Sequence, residues 1–144
     1  MKIYVAGASA ERALIGHFIN KLRALGCQVT FDWVAPIEAD GGVCNEGLAD
    51  VRRLELAQAA LDGVHEADVF WLIMPRSHSI GAWVELGAAL TWRRMRMLAT
   101  DGTSGLPHIL VSGPAPDRTI FNALVTVHET HVEAYEDIVR MVQR

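Results

Sequence analysis

Residues 69–74, with the sequence VFWLIM, form an unbroken apolar run that ends at Pro75. A strand with one face in water alternates apolar and polar residues, so a continuous run is typical of a central parallel strand covered on both faces. Parallel neighbours are joined by helical crossovers. We therefore expect this run to lie in the middle of a sheet with a layer of helices on each side.

The remainder of the chain alternates between strand-like and helix-like patterns, as such a sheet requires. Strands are predicted at residues 3–6, 27–31, 69–74, 108–111 and 124–127, helices at 14–25, 48–61, 82–95 and 129–142, and loops at 32–47 and 101–105. This order predicts one flavodoxin-like (Rossmann-like) α/β domain over residues 1–144, a three-layer sandwich with a five-stranded parallel sheet in the order 2-1-3-4-5. Ligands of such sheets bind outside the carboxyl ends of the strands, where the winding reverses. The loops after Ala6 and Met74 are therefore expected to line the site.

The charge pattern disfavours some classes of partner. The formal net charge is -4 and the basic residues are scattered apart from a cluster at 93–96, so no basic stripe is present for duplex nucleic acid. No apolar run is long enough to span a bilayer, and the chain opens with a strand pattern, so no membrane or leader segment is expected. Cys27 and Cys44 lack a zinc pattern and suit a reduced cytoplasm. His128 and His131 do not match H-E-x-x-H and are expected to lie away from the site, so no metal is predicted.

Glu85 is the only ionisable residue between positions 82 and 90, inside a predicted helix. A buried charge is costly unless it is paired or hydrogen-bonded, so this carboxylate has two interpretations. It is either a solvated or capping residue at the open edge of an amphipathic helix, or a functional acid. Its place near the start of a helix at the predicted site favours function, because backbone N–H groups there stabilise a carboxylate. The pattern alone leaves the two interpretations even.

Two short stretches of small residues stand where a phosphate can bind. Ser79 and Gly81 lie just ahead of the same helix, where a small hydroxyl and a flexible glycine let free N–H groups approach an anion. A serine cap with a turn glycine is the alternative. Gly7 and Ser9, in the turn after the first strand, either cradle a phosphate or simply turn the chain. That turn does not match G-x-G-x-x-G, so a dinucleotide cofactor is not expected.

Three stretches occur in order along nearly the whole chain: Lys2-Ile3-Tyr4-Val5-Ala6-Gly7, Ala67-Asp68-Val69 and Ser79-x-Gly81-x-x-x-Glu85-Leu86-Gly87. Together they resemble the nucleoside 2-deoxyribosyltransferase family, including its 2'-deoxynucleoside 5'-phosphate N-hydrolase branch. The resemblance implies that Glu85 is the nucleophile, that Tyr4 is an active-site tyrosine, and that Ser79 and Gly81 hold the 5'-phosphate. It also implies a homodimer or larger homo-oligomer in which Asn122 reaches a neighbouring subunit's site.

The implied chemistry is cleavage or exchange of the N-glycosidic bond of a nucleoside or nucleoside 5'-monophosphate, without a metal or organic cofactor. The Glu85 carboxylate would displace the base at the anomeric carbon of a ribosyl or deoxyribosyl group and form a covalent glycosyl intermediate. Water or a second base would then resolve it, so hydrolase and transferase both remain open. Tyr4 either positions Glu85 by a hydrogen bond or is a half-buried strand aromatic. Trp83 or Trp92 either anchors a subunit interface or packs in the core.

Ala60 stands where the family's second active-site aspartate would fall, and alanine cannot transfer a proton. Asp62 replaces it only if the helix has ended or slipped there, because two positions on a continuous helix rotate a side chain by roughly 200°. Other candidates for the acid, all in the long loop, are Asp32, Glu38 and Asp40. Trp33 either stacks on the base or packs at the sheet edge. The competing hypothesis is a non-catalytic nucleotide-binding or sensing domain that has lost the acid.

Overall fold

The structure is a computed structural model that describes residues 1–39, 47–100, 105–114 and 120–144. In these ranges the strands are β1 (Lys2–Ala6), β2 (Gln28–Val29), β3 (Val69–Ile73), β4 (His108–Ser112) and β5 (Thr126–His128). The helices are α1 (Arg12–Ala24), α2 (Val34–Ala39), α3 (Asp50–Glu66), α4 (Ile80–Ala99) and α5 (His131–Val142). Two 3-10 turns, Ser9–Glu11 and Ile120–Leu124, precede α1 and β5. None of the helices in the described ranges has the length and apolar character needed to cross a membrane.

The five strands pair in parallel in the order β2-β1-β3-β4-β5, which confirms the predicted fold class. β3 lies in the middle of the sheet and all of its residues are buried, as its unbroken apolar run predicts. The two faces of the sheet carry different helices. Tyr4 faces α3 and α4, whereas Trp71 faces α1 and, through Ser112, α5.

Gly7 lets the chain turn at the carboxyl end of β1. A Cβ at this position would lie 2.5 Å from Ile15 Cδ1 of α1 and 3.3 Å from the carbonyl oxygen of Ile73 at the end of β3. A side chain here would therefore have to displace the Ile15 side chain that packs α1 against the sheet. Because glycine has no side chain, the start of α1 lies close to the carboxyl ends of β1 and β3. We call this region the β1–β3 edge, and the ligand site is predicted there.

Several predicted boundaries are wrong for local reasons. α2 forms inside the predicted loop, because Asp32 Oδ1 accepts hydrogen bonds from Val34 N at 3.2 Å and Ala35 N at 3.4 Å. Pro36 stands in the first turn of α2, where its missing N–H costs nothing. β5 begins two residues later than predicted because the 3-10 turn precedes it. The predicted loop residues 40–46 and 101–104 lie outside the described ranges.

Candidate active site

Tyr4 and Glu85 meet on the face of the sheet that α3 and α4 cover. Tyr4 is fully buried in β1, and its hydroxyl donates a hydrogen bond of 2.7 Å to Glu85 Oε1. Glu85 belongs to the second turn of α4 and is half-buried. This hydrogen bond ties the helix to the strand near the β1–β3 edge, where the sequence predicts the site.

The surroundings of Glu85 disfavour its charged form. Burial raises the pKa of this carboxyl group from its ordinary value of 4.5 to about 7, and the hydrogen bond from Tyr4 partly opposes the rise. In the described ranges no lysine, arginine or histidine forms an ion pair with it. Near neutral pH the group therefore populates both protonation states. The ionised fraction is the form that can attack as a nucleophile, and a perturbed pKa in such a position is typical of functional carboxyl groups.

Tyr4 is held in one orientation by its neighbours. Its ring stacks on Phe70 with a centroid distance of 5.8 Å and an interplanar angle of 5°. Gly63 of α3 lies against the same ring, since a Cβ there would be 3.0 Å from Tyr4 Cδ2 and 2.8 Å from Phe31 Cβ. Burial and the neighbouring Glu85 raise the pKa of Tyr4 well above its ordinary value of 10.0, so the phenol stays protonated and donates. This geometry fits the interpretation of Tyr4 as a residue that positions Glu85.

The amino end of α4 lies about one turn before Glu85. Ser79 is the N-cap of this helix and its Oγ accepts from Ala82 N at 3.4 Å, so the capping role exists. Gly81 is exposed, and a Cβ there would meet no atom of the described chain within 4 Å. Packing therefore does not require glycine at this position. The first N–H groups of a helix lack intrahelical partners and are suited to an anion, so the phosphate role stays a prediction.

Gly7 and Ser9 shape the turn after β1. The glycine is explained by the packing of Ile15 described above. Ser9 is half-buried at the start of the 3-10 turn, where its carbonyl oxygen accepts from Arg12 Nη1 at 3.4 Å. Both residues lie at the predicted edge, and their contact with a ligand stays a prediction.

Asp32 and Trp33 are engaged in the fold. Asp32 Oδ2 pairs with Arg23 at 2.8 Å, and its other oxygen caps α2. Trp33 is only 9% exposed and its Nε1 donates to the carbonyl oxygen of Val5 at 2.8 Å. Little of the indole face is left to stack on a base. Of the two interpretations of Trp33, the structure supports packing at the sheet edge.

The structure does not bring Asp62 to the site. α3 is continuous from Asp50 to Glu66, so the helix neither ends nor slips where Asp62 would have to replace the missing acid. Asp62 is exposed, whereas Ala60 packs partly buried against the core. Glu38 is exposed, and Asp40 lies outside the described residues. Among the described residues, neither Asp62 nor Glu38 therefore takes the place of the acid that is missing at Ala60.

Asn122 is not part of this chain's own Glu85 site. It lies in the 3-10 turn before β5, two residues from Leu124, whose carbonyl oxygen accepts from Arg93 Nη1 in the later half of α4 at 3.1 Å. A contribution to a neighbouring subunit stays a prediction. Of the two candidate interface anchors, Trp83 is 47% exposed, whereas the Trp92 ring lies 4.8 Å from the ring of His65 in α3.

A second polar cluster, which the sequence analysis misses, lies at the same edge on the α1 and α5 face. His131 Nδ1 is 2.8 Å from Ser112 Oγ at the end of β4, and Glu11 Oε1 accepts from Arg76 N at 2.7 Å. The prediction that His131 lies away from the ligand edge is therefore wrong. Glu11 follows β1 and Arg76 follows β3 closely in sequence. Their positions just after the two strands are the sequence signal by which they could have been found. Among the described residues no group of three or more His, Cys, Asp or Glu side chains is arranged to hold a metal.

Two cavities in the described structure lie apart from the Tyr4–Glu85 pair. One, of about 360 Å³, lies between α1 and α2 and is lined by residues that include Arg12, Asn20 and Glu38. The other, of about 450 Å³, lies at the amino ends of β3 and β4. Because neither is lined by Tyr4 or Glu85, the hydrogen bond between these two residues and not a cavity marks the candidate site.

Comparisons of this chain with protein-family models, with curated proteins and with solved structures find no match. The function is therefore inferred from the geometry and chemistry of the site.

Proposed function

We propose that the chain cleaves or exchanges the N-glycosidic bond of a nucleoside or nucleoside 5'-monophosphate, with Glu85 as the nucleophile. The proposal depends on the 2.7 Å hydrogen bond from the buried Tyr4 hydroxyl to Glu85 Oε1. A carboxylate with a purely structural role normally pairs with a cation or lies in water. In the described ranges Glu85 has a single phenol donor, which fixes one oxygen and leaves Oε2 for chemistry.

The reaction has two steps, and each forms one bond and breaks one bond at the anomeric carbon. A Glu85 oxygen bonds to this carbon while the bond between the carbon and the base nitrogen breaks. The bonding electron pair leaves with the base, which takes a proton from water. Water or the nitrogen of a second base next attacks the same carbon and releases the carboxylate. The attacking water or base loses one proton in that step. Tyr4 keeps the carboxylate oriented through both steps.

The amino end of α4 supports a phosphorylated substrate. Ser79 Oγ caps Ala82 N, whereas the other N–H groups in the first turn of this 20-residue helix lack intrahelical acceptors, and the exposed Gly81 leaves space for an anion beside them. A helix amino end stabilises an anion through its N–H groups and its dipole. The 5'-phosphate of a nucleoside monophosphate would lie there while its anomeric carbon faces Glu85.

One observation favours a second candidate function. Ala60 is partly buried and cannot move a proton, and Asp62 is exposed. A domain that keeps the fold and the anion-binding helix end but lacks an acid can bind or sense nucleotides without cleaving them. In that case ligands would raise the unfolding temperature without releasing base.

The test is release of free base, followed by chromatography, from deoxynucleosides, ribonucleosides and their 5'-monophosphates. We expect release by the wild type, none by Glu85→Gln, and normal release by Glu136→Gln, which removes an exposed acid of α5. With Glu85→Ala, added formate or azide should restore part of the activity, because a small anion can replace the missing carboxylate. A second base in the mixture separates exchange from hydrolysis.

Trapping supplies an independent readout. A substrate analogue that slows the second step should add the mass of one glycosyl group to the peptide that contains Glu85. Base release that survives in Glu85→Gln would refute the proposal. Thermal stabilisation by nucleotides without any base release would favour the binding domain.

A further inference from the structure

Three segments of the chain converge at the carboxyl ends of the strands on the face of the sheet that α1 and α5 cover. Glu11 comes from the turn after β1, Arg76 from the loop after β3, and His131 from the first turn of α5. The hydrogen bond from Arg76 N to Glu11 Oε1 joins the first two loops. Neither Glu11 nor His131 takes part in the reaction proposed above.

The hydrogen bonds around Ser112 determine which nitrogen of His131 carries a proton. Trp71 Nε1 can only donate, and it donates to Ser112 Oγ at 2.8 Å. Ser112 is fully buried, so its own hydroxyl proton needs an acceptor, and the described chain offers His131 Nδ1 at 2.8 Å. His131 Nε2 therefore carries the ring proton. Burial and the positive charge of Arg76 lower the pKa of His131, which keeps the ring neutral.

The imidazole of His131 is also held in place. Thr130 caps α5 in a capping box with Glu133, which fixes the first turn of the helix. Gly113 has a φ of +117°, and a Cβ there would lie 2.8 Å from His131 Cε1, so only glycine lets the loop after β4 pass the ring. The other side of the ring meets Phe18 edge to face at 6.2 Å. His131 thus presents a preorganised N–H donor.

Glu11 offers an acceptor in the same region. Its Oε2 is buried and has no hydrogen-bond partner in the described chain. A buried carboxylate oxygen without a hydrogen-bond partner is costly, so a ligand or a water molecule is needed to donate a hydrogen bond to Oε2. The hydrogen bond described above joins Arg76 to Glu11, and α1, which follows Glu11 in the chain, contacts the His131 ring through Phe18, so the three groups lie on the same face of the sheet.

We propose that Glu11 Oε2 and the His131 Nε2–H group bind the nucleobase, across the β1–β3 edge from Glu85. The identity of the ligand rests on the proposed function. A nucleobase carries ring nitrogens or carbonyl oxygens beside amino or ring N–H groups, so it can accept from His131 and donate to Glu11 together. A phosphate dianion offers no donor and would be repelled by the Glu11 carboxylate.

The placement sets the path that the ligand has to follow. Ala6, the last residue of β1, is two positions beyond Tyr4, which is about 7 Å along a strand. Under the proposed reaction, a nucleoside whose anomeric carbon faces Glu85 would have to extend its base past the end of β1 to the opposite face of the sheet. There the neutral imidazole donates to the base as negative charge develops on it, which offsets the absence of an acid at Ala60.

The experiment measures binding of free nucleobases, which needs no catalysis. Adenine, hypoxanthine, cytosine, uracil and thymine are titrated into the protein, with ribose 5-phosphate as the fragment that lacks a base. We expect His131→Phe and Glu11→Gln to weaken base binding about tenfold, the usual effect of losing one hydrogen bond to a ligand. Glu136→Gln, at an exposed acid of α5, should bind bases normally, and so should His17→Phe, the same change as His131→Phe at an exposed imidazole that also contacts Phe18.

A nitrogen NMR titration of the wild type gives a readout that does not depend on any variant folding. His131 should show the Nε2–H tautomer, and its Nε2 signal should shift with a base and not with ribose 5-phosphate. No shift with any base, or unchanged affinity in both His131→Phe and Glu11→Gln, would overturn the site. Base release assayed in parallel separates the two proposals. Release that depends on Glu85 but not on Glu11 or His131 would refute the base-binding site alone. Base binding at His131 without release would refute the proposed reaction alone.

Discussion

Glu85→Gln should make the protein more stable at alkaline pH while it abolishes the proposed activity. The folded state raises the pKa of Glu85 from 4.5 to about 7, mainly through burial. Between these two values the folded protein holds a proton that the unfolded chain has released. The stability contributed by this group is therefore fully present below pH 4.5 and is lost as the pH rises through about 7.

The size of the effect follows from the same pKa. Each pKa unit corresponds to about 1.4 kcal/mol, so the ionised carboxyl destabilises the folded protein by about 3 kcal/mol at pH 8. Glutamine is uncharged at every pH and can still accept the Tyr4 hydrogen bond. The variant should thus be about 3 kcal/mol more stable than the wild type at about pH 8, and nearly equal to it below about pH 4.5. For a chain of 144 residues this corresponds to a rise in Tm of roughly 10 °C.

Urea unfolding at a series of pH values, followed by tryptophan fluorescence, measures this difference. Glu136→Gln, which changes an exposed acid, should leave the free energy of unfolding nearly constant relative to the wild type across the series. A Glu85→Gln variant that is equally or less stable than the wild type at pH 8 would show that the carboxyl is solvated. Glu85 would then be an ordinary surface acid and not a functional carboxyl group.

Four further substitutions test the Tyr4–Glu85 pair and its surroundings. Tyr4→Phe removes the donor that lowers the Glu85 pKa, so the pH at which stability is lost should move upward, as read from the same urea series, and base release should fall. Gly81→Ala and Gly87→Ala each place a methyl group where no described atom lies within 4 Å, so both should stabilise α4 by up to about 1 kcal/mol. Only Gly81→Ala should raise the KM for nucleoside 5'-monophosphates, and an equal KM for the two variants would remove the phosphate site. Gly63→Ala would force a Cβ to 3.0 Å from the Tyr4 ring. The free energy of unfolding should therefore fall by about 1–3 kcal/mol, as measured by thermal or urea unfolding. An unchanged stability would mean that α3 moves freely over β1.

The fold was predictable because its strongest signals are local. The apolar run of β3 and the alternation of strands and helices determine a parallel sheet, and the handedness of crossovers leaves few strand orders. Glu85 was predictable for a related reason: a single charge in an apolar stretch is visible in the sequence itself. The exact ends of β5 and the existence of α2 were not, since they depend on a 3-10 turn and on the side chain of Asp32.

The residues that were missed depend on contacts between distant segments. Gly63 stands in an ordinary helical pattern, and nothing nearby in the sequence indicates that the Tyr4 ring lies against it. The cluster of Glu11, Ser112 and His131 joins two loops and a strand end that become neighbours only in the folded sheet. Asp62 was favoured because it is close to Ala60 in sequence, but a continuous helix turns its side chain to solvent.

Because Gly63 lies close to the Tyr4 ring, substitutions at Tyr4, Gly63 and Glu85 depend on one another during evolution. A descendant that acquires a side chain at Gly63 has to shrink or displace the aromatic ring, and the loss of that ring also removes the hydroxyl that supports Glu85. Once the carboxyl loses its donor, selection for a stable fold favours its replacement as well. Lineages of this chain should therefore keep Tyr4, Gly63 and Glu85 together or abandon all three.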